Sequence, residues 1–227
     1  MGSVQGHVLS VNVGRARRFD YEGQRTASAI WKSPVTGRVA AKGVNLEGDE
    51  QADRAVHGGP DKAVYAYAIE DTRWWEGELG RPLEHGQFGE NLTTEGMDVT
   101  SALVGERWAI GSVLLEVSEP RMPCWRLGVR MDDRRFLRQF TEAGRPGTYL
   151  RIVVEGELGA GDGIEVVERP DHDLTTGDIF RIFTRDRDEA ERLLSVPALS
   201  ASWRQWAAEW IERSRGRSRE PADPGCC

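Results

Sequence analysis

Up to about residue 170 the chain repeats one local pattern: a short stretch of alternating apolar and polar residues, then a glycine, a proline or a polar turn. A period of two puts successive side chains on opposite faces of a strand. "VQGHVLSVNVG" (4–14) shows it most clearly. "SAIWKSP" (28–34) and "GRVAAKGVNL" (37–46) predict two more strands, with a turn from Pro34 to Gly37. "ALVGERWAIGSVLLEVSEP" (102–120) predicts two strands around a short connection. "GTYLRIVVEGEL" (147–158) and "DGIEVVER" (162–169) predict two more, joined by a "GAGD" turn. A run of short strands with few helices restricts this part to a mainly β fold, a closed or partly closed barrel.

The intervening segments read differently. "QADRAVHGGPDK" (51–62) and "EHGQFGENLTTEG" (84–96) are polar and rich in glycine, hence loops. "DKAVYAYAIEDTRWWEGEL" (61–79) carries Val64, Tyr67, Ala68, Asp71, Trp74 and Trp75 at helical spacing, a face apolar apart from Asp71. It predicts one helix capped by Asp61 and stopped by Gly80. A further helix is expected after Gly128. Beyond "RPDHD" (169–173) the pattern changes to three short helices, the first opening on the capping-box pair Thr175 and Asp178. Trp203, Trp206 and Trp210 share one face of the last helix, a packing stripe or an interface. The expected division is a barrel domain over 1–170, a three-helix domain over 171–215 and a disordered polar tail over 216–227.

The net charge of −7 argues against a general nucleic-acid or membrane-surface role. No apolar run is long enough to span a bilayer, and the first residues lack the pattern of a secretory leader. One internal cysteine cannot build a disulfide framework; Cys226 and Cys227 read as a loose end. A reducing cytoplasm is the expected setting. Of 30 cationic residues only Lys32, Lys42 and Lys62 are lysines, so a lysine retained against the arginine bias is a candidate for a compact point charge.

Three segments can carry chemistry. "HGGPDK" (57–62) opens the predicted helix: Gly58 and Gly59 permit close backbone approach, and Lys62 can turn to an anion. A plain glycine turn with a solvated lysine explains the same residues. "FGENL" (88–92) combines Phe88, Gly89, Glu90 and Asn91, followed by Thr93. Asn91 offers an amide to a heterocycle edge and Glu90 a general acid or base; a polar turn is the simpler reading. In "PRMPCWRL" (120–127), prolines flank Cys124, and Arg121 and Arg126 favour its thiolate. A lone internal cysteine is otherwise a small packed hydrophobe. With His57 as base it would make a Cys–His hydrolase. No zinc spacing is present.

In this order, "GDEQADRAVHGGPDKAVYAY", "GQFGENLTTEG", "VGERWAIGSVLLEVSEPRMPCWRL" and "DGIEVVER" resemble MOSC-domain proteins, the family of the C-terminal domain of molybdenum cofactor sulfurases. Within that family the chain is similar to the stand-alone bacterial group related to 6-N-hydroxylaminopurine resistance, whose three-helix C-terminal domain matches residues 171–215. The resemblance implies a β-barrel that binds the molybdenum cofactor. Cys124 would be the thiolate ligand of molybdenum, which suits soft sulfur donors. Lys62, Arg121, His57 and the "FGENLTT" loop would line the cofactor pocket, with Lys32 near the phosphate or the pterin. The implied activity is reduction of N-hydroxylated compounds, with Glu90 or His57 as proton source. The sequence has no ferredoxin-type cysteine cluster and no flavin or nicotinamide fingerprint, so a separate electron-donor protein is implied. A cofactor or sulfur carrier without turnover, with Cys124 as a persulfide carrier, is the alternative, and a homodimer is a further expectation.

Overall fold

The computed structural model describes residues 4–52 and 58–217. His57 and the cysteine pair Cys226 and Cys227 therefore lie outside the described residues. The strands are β1 (Val4–Val13), β2 (Arg17–Tyr21), β3 (Gln24–Ser28), β4 (Ser33–Pro34), β5 (Arg38–Lys42), β6 (Asn45–Leu46), β7 (Val64–Ala68) and β8 (Leu92–Glu95). They continue as β9 (Arg107–Ile110), β10 (Val113–Pro120), β11 (Thr148–Val154), β12 (Gly156–Gly159) and β13 (Gly163–Glu168). Helix α1 is Ile69–Leu79, α2 Trp125–Met131, α3 Phe136–Ala143, α4 Thr176–Thr184 and α5 Ala201–Arg217, with a 3-10 helix over Arg187–Ser195 between the last two.

Seven strands close on themselves in the order β13-β9-β10-β11-β7-β8-β1, and the pairing of β1 with β13 seals the ring. β1 shifts register between Val4 and Gly6 and again between Val8 and Ser10, and β10 shifts between Val117 and Glu119. Such irregularities bend and twist strands enough to close a small barrel. Inside lie Val8, Val11, Leu92, Trp108, Leu115 and Leu150, all fully buried. The mainly β barrel expected from the alternation is the observed architecture.

Several elements depart from the sequence reading. The helix predicted over 61–79 is two elements. Val64–Ala68 is a strand buried at every position, between antiparallel β11 and parallel β8. Helix α1 begins only at Ile69, with Ala68 as its cap, while Gly80 does end it in a left-handed conformation at φ 62°. A short continuous apolar run is compatible with either a buried strand or a buried helix. Asp61 and Lys62 thus belong to a 3-10 turn over Pro60–Lys62, not to a helix start. The end of the 84–96 loop is strand β8, and 37–46 is a tight β5–β6 hairpin rather than one strand. In 28–34 only Ser28 and the pair Ser33–Pro34 are in strands. The helix expected after Gly128 starts at Trp125, and a second follows from Phe136. The β2–β3 hairpin was invisible because its residues, nearly all of them exposed or only partly buried, carry no apolar alternation.

Two further clusters position the site. Tyr67, Trp75, Phe88, Phe136 and Phe140 pack α1, α2 and α3 against the barrel. Ile179, Ile182, Leu193, Trp203 and Ala207 form the core of the C-terminal helices, which includes Val104 from the barrel side. The Thr175–Asp178 capping box is present in both directions, side chain to backbone.

Candidate functional site

A cleft of about 110 Å³ lies at one end of the barrel. Its walls come from the 28–32 segment, the 49–52 segment, the "FGENL" loop and the stretch that carries Cys124. β10 delivers Arg121 and Cys124: the strand ends at Pro120, and Cys124 caps the N-terminal end of α2 in an extended conformation. Its thiol is unpaired with another cysteine and partly exposed.

Two buried cations mark the cleft. Lys32 forms a buried ion pair with Asp49. Asp49 also accepts from the backbone N–H of Gly14 at 2.8 Å and from Nδ2 of Asn91 at 2.9 Å. Burial pushes the Lys32 pKa down, against the attraction of Asp49. Arg121 is 5% exposed. Its guanidinium lies 5.4 Å from the centroid of the Tyr65 ring and 5.8 Å from that of Phe140. Its Nη1 is buried without a hydrogen-bond partner. A buried donor left unmade is costly, and in native proteins such groups have explanations. Here the cleft beside it supplies one: a site for an anionic or carbonyl acceptor.

The "FGENL" loop divides. Gly89 and Asn91 line the cleft. Gly89 has φ 79°, and a Cβ there would sit 2.9 Å from Cγ1 of Ile30, so the loop packs flush on the 28–32 segment. Phe88, Glu90 and Thr93 do not line the cleft. Phe88 is fully buried, 4.4 Å centroid to centroid from Tyr67. Glu90 accepts from the N–H of Gly86 at 2.5 Å, the N–H of Phe88 at 3.0 Å and the hydroxyl of Thr93 at 3.0 Å. Burial pushes its pKa up, against these donors. Its contacts brace the turn. Asn91 is likewise engaged: Oδ1 accepts from the N–H of Tyr65, and Nδ2 donates to the carbonyl of Asn12 and to Asp49.

Lys62 lines the cleft, while Gly58 and Gly59 do not. Nζ of Lys62 stands 3.4 Å from Oε1 of Glu119, a buried carboxyl on β10 whose pKa burial raises and Lys62 lowers. Lys62, Met122, Cys124 and Tyr149 also wall a second cavity, of about 340 Å³, on the side of the C-terminal helices. Sequence reasoning missed Asp49, Glu119 and Tyr149, since nothing local announces a contact made across the fold. Among the described residues no histidine lines either cavity, and His57 lies outside them.

Family comparison identifies the class of the chain. The MOSC domain model matches residues 53–165, and the model for the YiiM-like 3-alpha helix domain matches 184–213. The chain belongs to the MOSC-domain family, in the YiiM-like group with three C-terminal helices. It is 36% identical over 200 residues to the uncharacterized protein YflK of Bacillus subtilis, covering 87% of this chain and 90% of that one. It is similar to the crystal structure of YiiM from Geobacillus stearothermophilus, with a TM-score of 0.76, 31% identity, and coverage of 91% and 99%. It is also 36% identical over 171 residues to a protein named Reductase from Gibberella moniliformis, matching 73% of this chain but 30% of that longer protein.

Proposed function

We propose that the protein is a molybdenum-cofactor-dependent reductase of N-hydroxylated compounds, 6-N-hydroxylaminopurine among them, and that Cys124 is its protein ligand to the metal. The observation that carries the reading is the partly exposed Cys124 thiol in one cleft with the orphaned Nη1 of Arg121. The residues fit the group. A thiolate is a suitable donor to molybdenum, and Arg121 offers a buried donor to an anionic part of a pterin phosphate. Among the described residues no group of His, Cys, Asp and Glu gathers to hold a bare ion. A metal at Cys124 would therefore come bound to a cofactor's own sulfur donors. Membership in the MOSC family and the fungal relative named a reductase support the redox assignment.

The chemistry supplied by the bound group is removal of oxygen from nitrogen. Two electrons come from a separate donor protein, and the oxygen leaves as water with two protons. The chain's own residues hold and orient. Cys124 anchors, Arg121 donates to the anionic tail, and the Lys32–Asp49–Asn91 network fixes the floor of the cleft. Glu90, bound on both oxygens by its own loop, is a positioning residue. His57 remains a proposed wall and proton source. The hydrolase alternative rests on that same His57.

The test is an activity assay. Protein from a host that makes the cofactor should reduce 6-N-hydroxylaminopurine with a reduced viologen as donor, and Cys124→Ser should fall to background. Turnover by Cys124→Ser at the wild-type rate would overturn the assignment.

A further inference from the structure

The chain carries a net charge of −7, yet one face of it is basic. Hairpin β2–β3 and the connection before it hold Arg15, Arg17, Arg18 and Arg25, all exposed, against Asp20 and Glu22. Helix α2 adds Arg126 and Arg130 and no carboxylate. The hairpin and the helix meet through their rings. Tyr21 stacks on Trp125, centroids 4.3 Å apart and planes at 18°, and Phe19 meets Trp31 edge-on at 5.0 Å. Guanidinium groups cover the same rings: Arg17 lies 5.9 Å from the centroid of Trp31, Arg126 4.7 Å from that of Trp125 and Arg134 5.6 Å from that of Tyr21. Ion pairs on this face join Arg134 to Glu22 at 3.1 Å and Arg130 to Glu84 at 3.8 Å. Nε of Arg130 is buried without a hydrogen-bond partner. Burial lowers the Arg130 pKa, against Glu84 and Glu90, and the nearby charges of Arg17 and Arg81 lower it further. Guanidiniums gathered this closely repel one another, and an acidic partner would relieve that repulsion.

The face opens onto the cleft: Arg126 lines it together with Ser28, Ala29 and Ile30, the residues at and after the end of β3. Trp125 directly follows Cys124 in the chain. Resting on the reading of the protein as a reductase, we propose that this arginine face is the docking surface for its electron donor, and that the donor is a protein whose own redox centre is ringed by carboxylates. Each N–OH reduced to N–H takes two electrons from the donor and two protons from solvent and releases one water. Arginines held over rings are oriented before the partner arrives, so less freedom is lost when each meets a carboxylate. The rings that bases would stack on are taken up by each other and by guanidinium, which argues against a single-stranded nucleic acid as the occupant. A small contact steered by charge is also the usual form of a transient electron-transfer complex.

The test uses two acidic electron carriers, a bacterial flavodoxin and a plant-type ferredoxin, with the basic protein cytochrome c as control. Binding to the full chain is measured by titration calorimetry on metal-free protein. Saturable binding of at least one carrier is expected at about 20 mM salt and none of cytochrome c, with affinity falling about tenfold or more at about 300 mM, where surface charges are screened. Arg17→Glu combined with Arg18→Glu should weaken carrier binding by about tenfold or more. Arg134→Ala, as a second variant, should weaken it in the same direction, with circular dichroism showing both folded. Arg213→Glu combined with Arg215→Glu, on α5 and outside the hairpin and the cleft lining, should bind as wild type does. In turnover of 6-N-hydroxylaminopurine, the Arg17 and Arg18 double variant should lose the carrier-driven rate and keep the viologen-driven one. Binding of neither carrier, binding indifferent to salt, or unchanged binding by both folded variants would overturn the proposal. So would tighter binding of a single-stranded oligonucleotide that the same variants lose. Carrier binding that follows these arginines in a protein without viologen-driven turnover leaves the acidic-protein surface standing and the reductase reading fallen; viologen-driven turnover without carrier binding separates them the other way.

Discussion

Asp49 is the residue on which the floor of the cleft depends. It pairs with Lys32 and accepts from the Gly14 backbone and the Asn91 amide, all of them buried. Removing one member of a buried pair leaves the other charge unpaired, which costs about 3–5 kcal/mol. Asp49→Ala should therefore lower the unfolding free energy by about that amount in urea titrations. Lys32→Met in the same background should restore most of it, because replacing both partners removes the buried charge. A loss under about 1 kcal/mol for Asp49→Ala, the value of a surface pair, would contradict the account. Lys32 could be picked from the sequence as a lysine kept in an arginine-rich chain. Asp49 could not, because its importance comes from a meeting of segments distant in sequence. Glu90 shows the opposite case: its residue type suggested acid–base chemistry, and its hydrogen bonds show a brace.

Secondary elements were readable where local chemistry decides them. The alternation in β1 and β10, the glycine stop of α1 and the capping box of α4 all stand in the structure. β7 was misread because "VYAYA" is buried on both faces, and burial on both faces erases the period that separates strand from helix. Hairpin β2–β3 was missed for the complementary reason, since only Ser28 of its strands is buried. The capping box gives a direct check. Thr175 accepts from the N–H of Asp178 while Asp178 accepts from the N–H of Thr175. Thr175→Ala should cost about 1 kcal/mol, seen as a fall of about 2–4 °C in Tm for a chain of this size. An unchanged Tm would mean that α4 is held by Ile179, Phe180 and Ile182 alone.

For the molecule as a whole, the barrel and the C-terminal helices share packing rather than a hinge. Val104 lies in the helical core, and Phe180 of α4 packs into the aromatic cluster around Trp75 and Phe140. Thr176 donates to the carbonyl of Thr100, and Leu103 bridges to Thr175. That packing sets the C-terminal helices beside the cavity that Cys124 also lines. Barrel and helices could each be inferred from their periodicities. The cavity between them could not, because it belongs to neither pattern alone. The central claim is that Cys124 holds a molybdenum cofactor. The most direct measurement is the metal content, by mass spectrometry, of wild type and Cys124→Ser purified side by side from a host competent to make the cofactor. The account predicts molybdenum near one atom per chain in wild type and its loss from a folded Cys124→Ser. Equal molybdenum in both, or none in a well-folded wild type, would contradict it.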